Sequence, residues 1–234
     1  MKIEEKYFVQ SIKKSICNEW LLKKHYARRI PSINFSFGLY VKETKICVGV
    51  CTYGIPASDN MLLCCGPEYK KHAFELNRLI KNDNLEKNVQ SWFVSQTFKL
   101  LEKPKIIISY SDPNNGHNGY TYQALNFLYT GKGGSAKEYE YKGRQYTSRH
   151  LNKEWMLKKG FTYDDDKTID QNFERNGGKI IPQKKKLRYI MFLGNKREKR
   201  ILKKLLKWDV FPYEKGQNEY YDTSYKTTTQ FEMF

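Results

Sequence analysis

Hydrophobic and polar positions follow two different periods in the N-terminal quarter of the chain. Apolar residues at helical spacing predict an amphipathic helix over residues 8–22. The residues that form this stripe are Val9, Ile12, Ile16 and Trp20. Apolar and polar residues then alternate over 33–41 and again over 46–54, which predicts two half-buried strands. The short KETK segment between the strands indicates an antiparallel hairpin.

The middle of the chain predicts a strand, a helix and a second strand. Residues 73–80 alternate as a strand does, and an apolar stripe over 85–101 predicts a helix. The apolar run at 105–111 is typical of a strand that is covered on both faces. A crossover through a helix places its two strands side by side in one sheet. We therefore expect 73–80 and 105–111 to be neighbours.

The C-terminal part is less regular but contains further elements. It predicts a short helix within YTYQALNFLY, a hairpin over 138–148, a helix from a Ser148 cap to Lys159, a strand at 187–193 and a basic helix after it. A hairpin followed by a crossover is the element order of GNAT (acetyltransferase-type) domains, and a generic α/β fold is the alternative. We expect an α/β, GNAT-like mixed sheet flanked by helices. The predicted division is a catalytic domain at 1–195 and a basic helix and tail at 196–234 that pack on it or extend it.

The charge of the chain indicates a polyanionic partner. The 234 residues contain 42 Lys plus Arg and 25 Asp plus Glu, a net charge of +17. Twelve basic residues and one acid, Glu198, lie between Lys179 and Lys207. Such clustering suits contacts to the phosphates of double-stranded DNA, although it would also suit a surface that only keeps the protein in solution. The expected phosphate contacts are Lys184, Lys185, Lys186, Arg188, Lys196, Arg197 and Arg200.

The remaining composition indicates a protein of the cytoplasm. No run approaches the ~18 apolar residues that a membrane span requires, and the first ten residues lack the apolar core of a signal peptide. The five cysteines are an odd number without CxxC spacing, which favours free thiols in a reducing compartment.

Two charged residues at strand positions are the first candidates for chemistry. Arg78 falls on the same predicted strand face as Phe74, Leu76 and Ile80, where a guanidinium needs an anion. Asp112 ends the strand 105–111, at the edge where α/β sheets place their ligands. We expect Arg78 and Asp112 to share one cleft; a buried salt bridge is the alternative for Arg78.

Two further segments combine aromatic and basic or polar residues. The stretch GHNGYTYQALNF carries His117, Tyr120, Tyr122 and Asn126, and tyrosines beside a basic cleft suit stacking on a base rotated out of the duplex. Core packing is the alternative for each tyrosine. His25 and Tyr26 precede Arg28 and Arg29, which makes this segment a candidate for substrate or metal contact. The predicted substrate-binding residues are His117, Tyr53, Asn126, Arg28 and Arg29.

A series of motifs resembles the Mom family of phage DNA modification proteins. They are HYARRIP, FGLYV with GVCTYGIPAS, ELNRL, SWFVSQ, KPKIIISYSD, GHNGYTYQALNFLYTG and RYIMFLG, which together span about residues 25–195. The resemblance implies a GNAT-like transferase that adds a carbamoylmethyl group to the exocyclic amino group of adenine in DNA. This shields phage DNA from restriction enzymes and implies a phage or prophage gene in a bacterial host.

The resemblance also implies where the reaction takes place. It places Arg78, Ser95, Asp112 and Tyr122 at the active centre, to which we add Tyr120 as a catalytic candidate. It implies further that His25 and Tyr26 lie nearby and hold a metal such as iron.

One segment departs from the pattern of acetyltransferases and bears on the donor. Acetyltransferases bind the pyrophosphate of coenzyme A with a glycine-containing loop at a helix N-terminus, but the equivalent loop reads NDNLEKNVQS. The loop therefore argues against acetyl-CoA in the standard mode and leaves another small activated acyl donor, an aminoacyl-type donor or aminoacyl-tRNA. The alternative functions are a GNAT-type N-acyltransferase acting on an amine of RNA, aminoacyl-tRNA or protein, and a basic DNA-binding protein without catalysis.

Overall fold

The computed structural model describes residues 2–25, 27–133, 137–146, 148 and 151–214. Two sheets are present: one of seven strands in the order β1-β2-β3-β4-β5-β10-β6, and one of three in the order β8-β7-β9. The strands are β1 (Tyr7–Ser11), β2 (Phe35–Val41), β3 (Cys47–Gly54), β4 (Ala73–Lys81), β5 (Lys105–Ser111), β6 (Leu128–Gly133), β7 (Lys137–Tyr141), β8 (Arg144–Tyr146), β9 (Lys179–Pro182) and β10 (Lys186–Leu193). The helices are α1 (Ile3–Lys6), α2 (Lys14–Glu19), α3 (Asp59–Leu62), α4 (Val89–Leu100), α5 (Tyr120–Ala124), α6 (Lys153–Lys158), α7 (Ile169–Arg175) and α8 (Lys196–Leu205).

The large sheet is antiparallel except at one pair of strands. Within the described sheet only β4 and β5 run parallel, and their ladder covers three residue pairs, from Ala73–Ile106 to Glu75–Ile108. Beyond Glu75, β4 continues for six residues and remains paired with β3, while β5 remains paired with β10. The carboxyl ends of β4 and β5 therefore diverge, which leaves a wedge-shaped opening at the ligand-binding edge of an α/β sheet.

Helices cover both faces of the large sheet. The α4 side chains Phe93 and Val94 are fully buried in one cluster with Ile107 of β5. The opposite face packs against α3 and α8, where Met61 and Leu202 join Ile106 and other apolar residues. Burial of each large apolar side chain is worth about 1.5–3 kcal/mol, so these layers hold β4 and β5 in place. The GNAT-like mixed sheet with flanking helices is confirmed.

Most predicted elements of the first two thirds are present, with one clear error at the start. The hairpin, β4, α4 and β5 lie where the sequence placed them, although α4 begins at Val89 rather than at residue 85. The helix over 8–22 is wrong in its first half, because β1 pairs with β2 in the register Val9–Leu39. The hydrogen-bonding edge of the hairpin recruits this segment as a strand, and the helix begins only at Lys14.

A segment between β6 and β10 forms a second small unit that the sequence did not predict as a whole. Here β7, β8 and β9 pack with α6 and α7 around a separate core that includes Met156 and Phe173. We call residues 137–182 the insert. The predicted hairpin is confirmed as β7–β8, but the cap of α6 is Asn152 rather than Ser148. Its side-chain oxygen accepts a hydrogen bond from Trp155 N at 2.8 Å, which satisfies the helix start.

The basic helix α8 packs on the large sheet through a single buried residue. Leu202 is buried, whereas the apolar residues Ile201 and Leu205 of the same helix remain more than a third exposed. A division of the chain at residue 195 stays a prediction, and residues 215–234 of the predicted tail lie outside the described residues. Across the described ranges, every helix is too short or too polar to cross a bilayer.

Candidate active site

The diverging ends of β4 and β5 open into a cleft of about 1730 Å³. Its walls come from β4, from the segment after β5, from α5, from the β9–β10 connection and from the insert. Arg78 and Asp112 both line this cleft, so the structure brings together the two residues that the sequence singled out. The other predicted residues that line it are His25, Arg29, His117, Tyr120, Tyr122, Lys184, Lys185 and Lys186.

Asp112 is held as a charged group by a dense set of contacts. Only 7% of the residue is exposed. One carboxylate oxygen, Oδ2, lies 3.0 Å from Lys186 Nζ. The other, Oδ1, accepts hydrogen bonds from Asn114 N at 3.1 Å and from Asn114 Nδ2 at 2.9 Å. Asn114 in turn bonds to both backbone groups of Lys184, so it ties the Asp112 turn to the basic segment.

The electrostatic environment of Asp112 favours its ionised form. Burial acts to raise the pKa of this carboxyl, but the ammonium of Lys186 and the two donors of Asn114 outweigh it and lower the pKa below its ordinary value. Asp112 is therefore a carboxylate at neutral pH. It can accept a hydrogen bond from an amine in the cleft, yet it is a weak base toward a free proton.

A β-bulge sets the direction of Arg78. The ladder between β3 and β4 shifts after Arg78–Thr52, so Asn77 is an extra residue on β4. Leu76 consequently packs toward α4, whereas Ile80 packs on the other face with the α2 cluster. The prediction that Arg78 shares a face with Phe74 and Leu76 is wrong: it shares a face with Ile80, because the bulge reverses the alternation. Asn77 fixes the bulge by bonding to Thr52 and to the backbone of Ser32.

Several cationic side chains lie close to His25 in this part of the cleft. Its pKa is lowered to about 4, first by burial and then by the charges of Arg78, His117, Arg29 and Lys186. The imidazole is therefore neutral at pH 7, and its Nδ1 accepts a hydrogen bond from Ala27 N at 3.0 Å.

The described residues around His25 do not fit a metal site. An accepting Nδ1 leaves the proton of the neutral ring on Nε2, the atom that would have to bind the metal. No group of three or more His, Cys, Asp or Glu side chains suited to a metal occurs among the residues that the structure describes. Tyr26, the second predicted ligand, lies outside those residues.

The glycine-rich turn after Asp112 brings three aromatic or imidazole side chains to the cleft. Gly119 adopts φ +80°, and a Cβ there would lie 2.3 Å from the Tyr189 hydroxyl, so this position accepts only glycine. Tyr122 then packs with its ring centroid 5.2 Å from that of Tyr189. Tyr120, two residues earlier, is 38% exposed at the cleft. The two tyrosines thus differ: Tyr122 braces the wall, while Tyr120 presents its ring to the opening.

Ser111 is a cleft residue that sequence reasoning missed. It is only 3% exposed, and its hydroxyl has no hydrogen-bond partner among the described residues, although the Tyr189 hydroxyl lies nearby. A buried hydroxyl without a partner at a cleft is suited to bind a ligand. Its place immediately before Asp112, at the end of a parallel strand, was the available signal. Glu75 and Gln90 also line the cleft and were not predicted.

The predicted phosphate-binding residues divide into three groups. Lys184, Lys185 and Lys186 line the cleft. Three residues of α8 are exposed but do not line it: Lys196, Arg197 and Arg200. The assignment of Arg188 to phosphate binding is wrong, because its guanidinium stacks 3.8 Å from the Trp208 ring centre and donates hydrogen bonds to Thr130. That side chain is committed to packing and not to phosphate.

Four other predicted site residues lie away from the cleft lining. Tyr53 is fully buried, and its hydroxyl shares a hydrogen bond with Thr97 at 2.5 Å, so its assignment to substrate binding is wrong. Ser95 lies on α4 and donates to the carbonyl of Trp92. Asn126 and Arg28 are exposed at turns with positive φ. Each of the four lies within one of the sequence motifs shared with the Mom family, but none of them lines the cleft.

The loop before α4 lacks the features of a pyrophosphate-binding turn. Asn88 takes the left-handed conformation at φ 68° and its side chain does not cap the helix. Glu86 is bound by the ammonium of Lys6 and by the Tyr7 hydroxyl at 2.5 Å, which together lower its pKa to about 2. A fixed carboxylate three residues before the helix opposes an incoming diphosphate.

The diverging parallel strands, the covering helices and the charged cleft define the class: a GNAT-like α/β fold with an open cleft at one edge of its mixed sheet. The chain belongs to the Mom protein family, whose sequence profile matches residues 6–215. It is similar to the methylcarbamoylase Mom of Escherichia phage Mu, with 29% identity over 197 residues that cover 81% of this chain and 76% of that protein.

Solved acetyltransferases show more distant similarity. An N-acetyltransferase from Staphylococcus aureus Mu50 is 13% identical, with a TM-score of 0.41 over 80% of this chain and 99% of the other. A putative acetyltransferase from Salmonella typhimurium, solved with acetyl-CoA, is 10% identical, with a TM-score of 0.42 over 81% of this chain and 95% of the other.

Proposed function

We propose that this protein transfers a carbamoylmethyl group to the exocyclic amino group of adenine in double-stranded DNA, and so protects phage DNA from restriction. The observation that carries the proposal is the ionised Asp112 beside Lys186, in one cleft with Arg78. The similarity to the Mu methylcarbamoylase supports the type of group transferred. The proposed place of action is the cytoplasm of the bacterial host, where phage or prophage DNA is found.

The cleft suits a base that has left the duplex. An adenine amino group inside the stack cannot reach a carboxylate at the bottom of a cleft, so the base must rotate out. Lys184 and Lys185 at the rim would hold the phosphates on either side of the target. Tyr120 would stack on the extruded ring, because its own ring is exposed at the opening.

Asp112 would act on the adenine amino group. The lone pair of this nitrogen is delocalised into the ring, so the amine is a poor nucleophile. A carboxylate that accepts one N–H localises electron density on nitrogen and stabilises the positive charge that grows there. As the new N–C bond forms, the bond from the donor carbon to its leaving group breaks. The amine proton passes to Asp112 and from there to solvent.

Arg78 and Tyr122 would serve the donor. A carbamoylmethyl group is attached through its methylene carbon, so the amine attacks that carbon and the leaving group departs from it. The Arg78 guanidinium can bind the adjacent carbonyl oxygen and stabilise negative charge there. Tyr122 packs against Tyr189 and can orient its hydroxyl toward the leaving group. We propose an activated donor other than acetyl-CoA bound in the standard manner, such as an aminoacyl-type donor or aminoacyl-tRNA, since the loop before α4 does not favour a diphosphate. Because the described residues around His25 do not fit a metal, no step is assigned to iron.

Nucleoside mass spectrometry of DNA from cells that express the chain tests this function. The wild-type chain should yield a modified adenosine, and Asp112→Asn should lower its amount by about 10²–10⁴-fold while duplex binding is retained. Lys158→Ala, which removes an exposed charge outside the cleft, is the control. Unmodified DNA from cells that contain the folded wild-type chain would refute the proposal.

One further measurement distinguishes the proposed function from the alternative, an N-acyltransferase that acts on an amine of RNA, aminoacyl-tRNA or protein. Titration calorimetry with acetyl-CoA should show no binding if the loop before α4 is as unsuited to a diphosphate as its residues indicate. Tight binding of acetyl-CoA, together with acetylation of an amine outside DNA, would favour the alternative.

A further inference from the structure

The insert places a rigid hairpin at the rim of the cleft. Strands β7 and β8 are joined by a two-residue turn, Lys142 at φ 48° and Gly143 at φ 72°. Both residues have the positive φ that a tight hairpin turn with the natural strand twist requires. The far edge of β7 pairs with β9, so the hairpin is not an isolated pair of strands.

Aromatic contacts brace the hairpin on one of its two faces. Tyr139 meets Phe173 with ring centroids 5.4 Å apart, and Tyr141 meets Phe161 at 4.7 Å. On β8, Tyr146 packs edge-on against Trp155 at 5.0 Å. Edge-to-face pairs at these distances are favourable beyond the burial of their area. The hairpin is thereby fixed relative to the core of the insert.

The opposite face of the hairpin borders the cleft. Gln145 lies across from Glu140 in the ladder, on the side away from the paired tyrosines. Gln145 and Glu138 of this face line the cleft that contains Asp112, and Tyr146 of the aromatic face reaches the same cleft. Glutamates on this face repel phosphates, so it is unsuited to the DNA backbone. Gln and Glu side chains are suited to base edges, because Gln pairs with adenine and Glu accepts from cytosine.

The tip of the hairpin is basic, unlike the face that carries the glutamates. Lys142, Gly143, Arg144 and Gln145 are all exposed; Lys142 lies in the turn and Arg144 follows it directly. Two cations at the end of a narrow ribbon can contact phosphates on both sides of a groove. A major groove about 12 Å wide admits a two-stranded ribbon.

We propose that the β7–β8 hairpin enters the major groove beside the target adenine, where Gln145 reads a base edge while Lys142 and Arg144 contact phosphates. The proposal rests on the proposed function for the identity of the polyanion. It assigns the choice of sequence context to the insert. Because Gln145 and Asp112 line one cleft, the base that is read would lie close to the base that is modified.

A binding selection tests the reading of bases without depending on catalysis. A duplex library with random bases around a central adenine is incubated with wild-type protein, and the retained duplexes are sequenced. We expect a preferred base at one flanking position, and Gln145→Ala should reduce that preference by about fivefold or more. Lys158→Ala should leave the preference unchanged. No preference in the wild type, or the same preference in Gln145→Ala, would overturn the reading role.

Salt titration tests the contacts of the tip. The double variant Lys142→Ala with Arg144→Ala should bind duplex more weakly and lower the slope of log K against log salt by about 1.8. The double variant Lys99→Ala with Lys158→Ala removes the same charge from exposed positions outside the cleft and should change the slope less. Equal changes in the two double variants would overturn the hairpin as the contact. Thermal unfolding of each variant shows whether it remains folded.

The two proposals can fail separately. If wild-type protein selects a flanking base and loses that preference in Gln145→Ala, the hairpin reads DNA whether or not adenine is modified. If adenine is modified but both hairpin variants behave as their controls do, the proposed function stands and the hairpin proposal is wrong.

Discussion

Lys186 and Arg188 are two cations on one strand with opposite uses. They lie two residues apart on β10, so alternation points both to the same face of the sheet. Lys186 meets the carboxylate of Asp112 at the open cleft, whereas Arg188 is covered by Trp208 and bonded to Thr130. The difference lies in the neighbours. A segment that returns after α8 covers one cation and leaves the other for the cleft.

The largest expected effect is the loss of protein stability when Arg188 is replaced. Arg188→Ala removes a stacked cation and two charge-assisted hydrogen bonds, which should lower the free energy of unfolding by about 2–4 kcal/mol. At this chain length we expect the melting temperature to fall by about 2–4 °C per kcal/mol. Differential scanning calorimetry measures it. Lys196→Ala, an exposed residue at the start of α8, is the control. A melting temperature that stays at the wild-type value in Arg188→Ala would show that the stack carries no energy.

The comparison also shows what the sequence could and could not predict. The run of basic residues from Lys179 to Lys207 indicates a polyanion, and Asp112 follows from its place at the end of a strand. Arg188 could not be separated from Lys186 by sequence, because its role depends on Trp208, twenty positions further along the chain.

Local sequence patterns also predicted only those parts of the fold that do not depend on distant residues. The local period predicted the hairpin, β4, β5 and β10. It failed at β1, where a tertiary partner decided the conformation, and at Arg78, where a bulge changed the face. The insert has an aromatic core built from residues far apart in sequence, so no local pattern revealed it.

The second effect concerns the cleft and its pH dependence. Lys186→Ala removes the ammonium that lowers the pKa of Asp112, while burial, which raises that pKa, remains. A charge-assisted hydrogen bond is worth about 1.5–3 kcal/mol, which corresponds to a loss of about 10- to 100-fold in modification rate.

The sign of the pH effect follows from the same contacts. In the wild type the carboxylate is lost only at pH values below its ordinary pKa, because Lys186 lowers that pKa; without Lys186 the loss begins at higher pH. The acid limb of the modification rate should therefore move to higher pH in Lys186→Ala and stay in place in Lys185→Ala. Unshifted acid limbs in both variants would remove Asp112 as the titrating group.

The smallest effect should come from the cations of α8, which are neither covered as Arg188 is nor placed in the cleft as Lys186 is. Arg200 is exposed on this helix. One lost phosphate contact lowers the slope of log K against log salt by about 0.9. Arg200→Ala should therefore weaken duplex binding by a few-fold, in a salt-dependent way, without changing the acid limb or the melting temperature. Fluorescence anisotropy at several salt concentrations measures the slope. A slope equal to that of the wild type would mean that duplex DNA contacts the cleft side of the molecule alone, and that the charge of α8 serves another purpose.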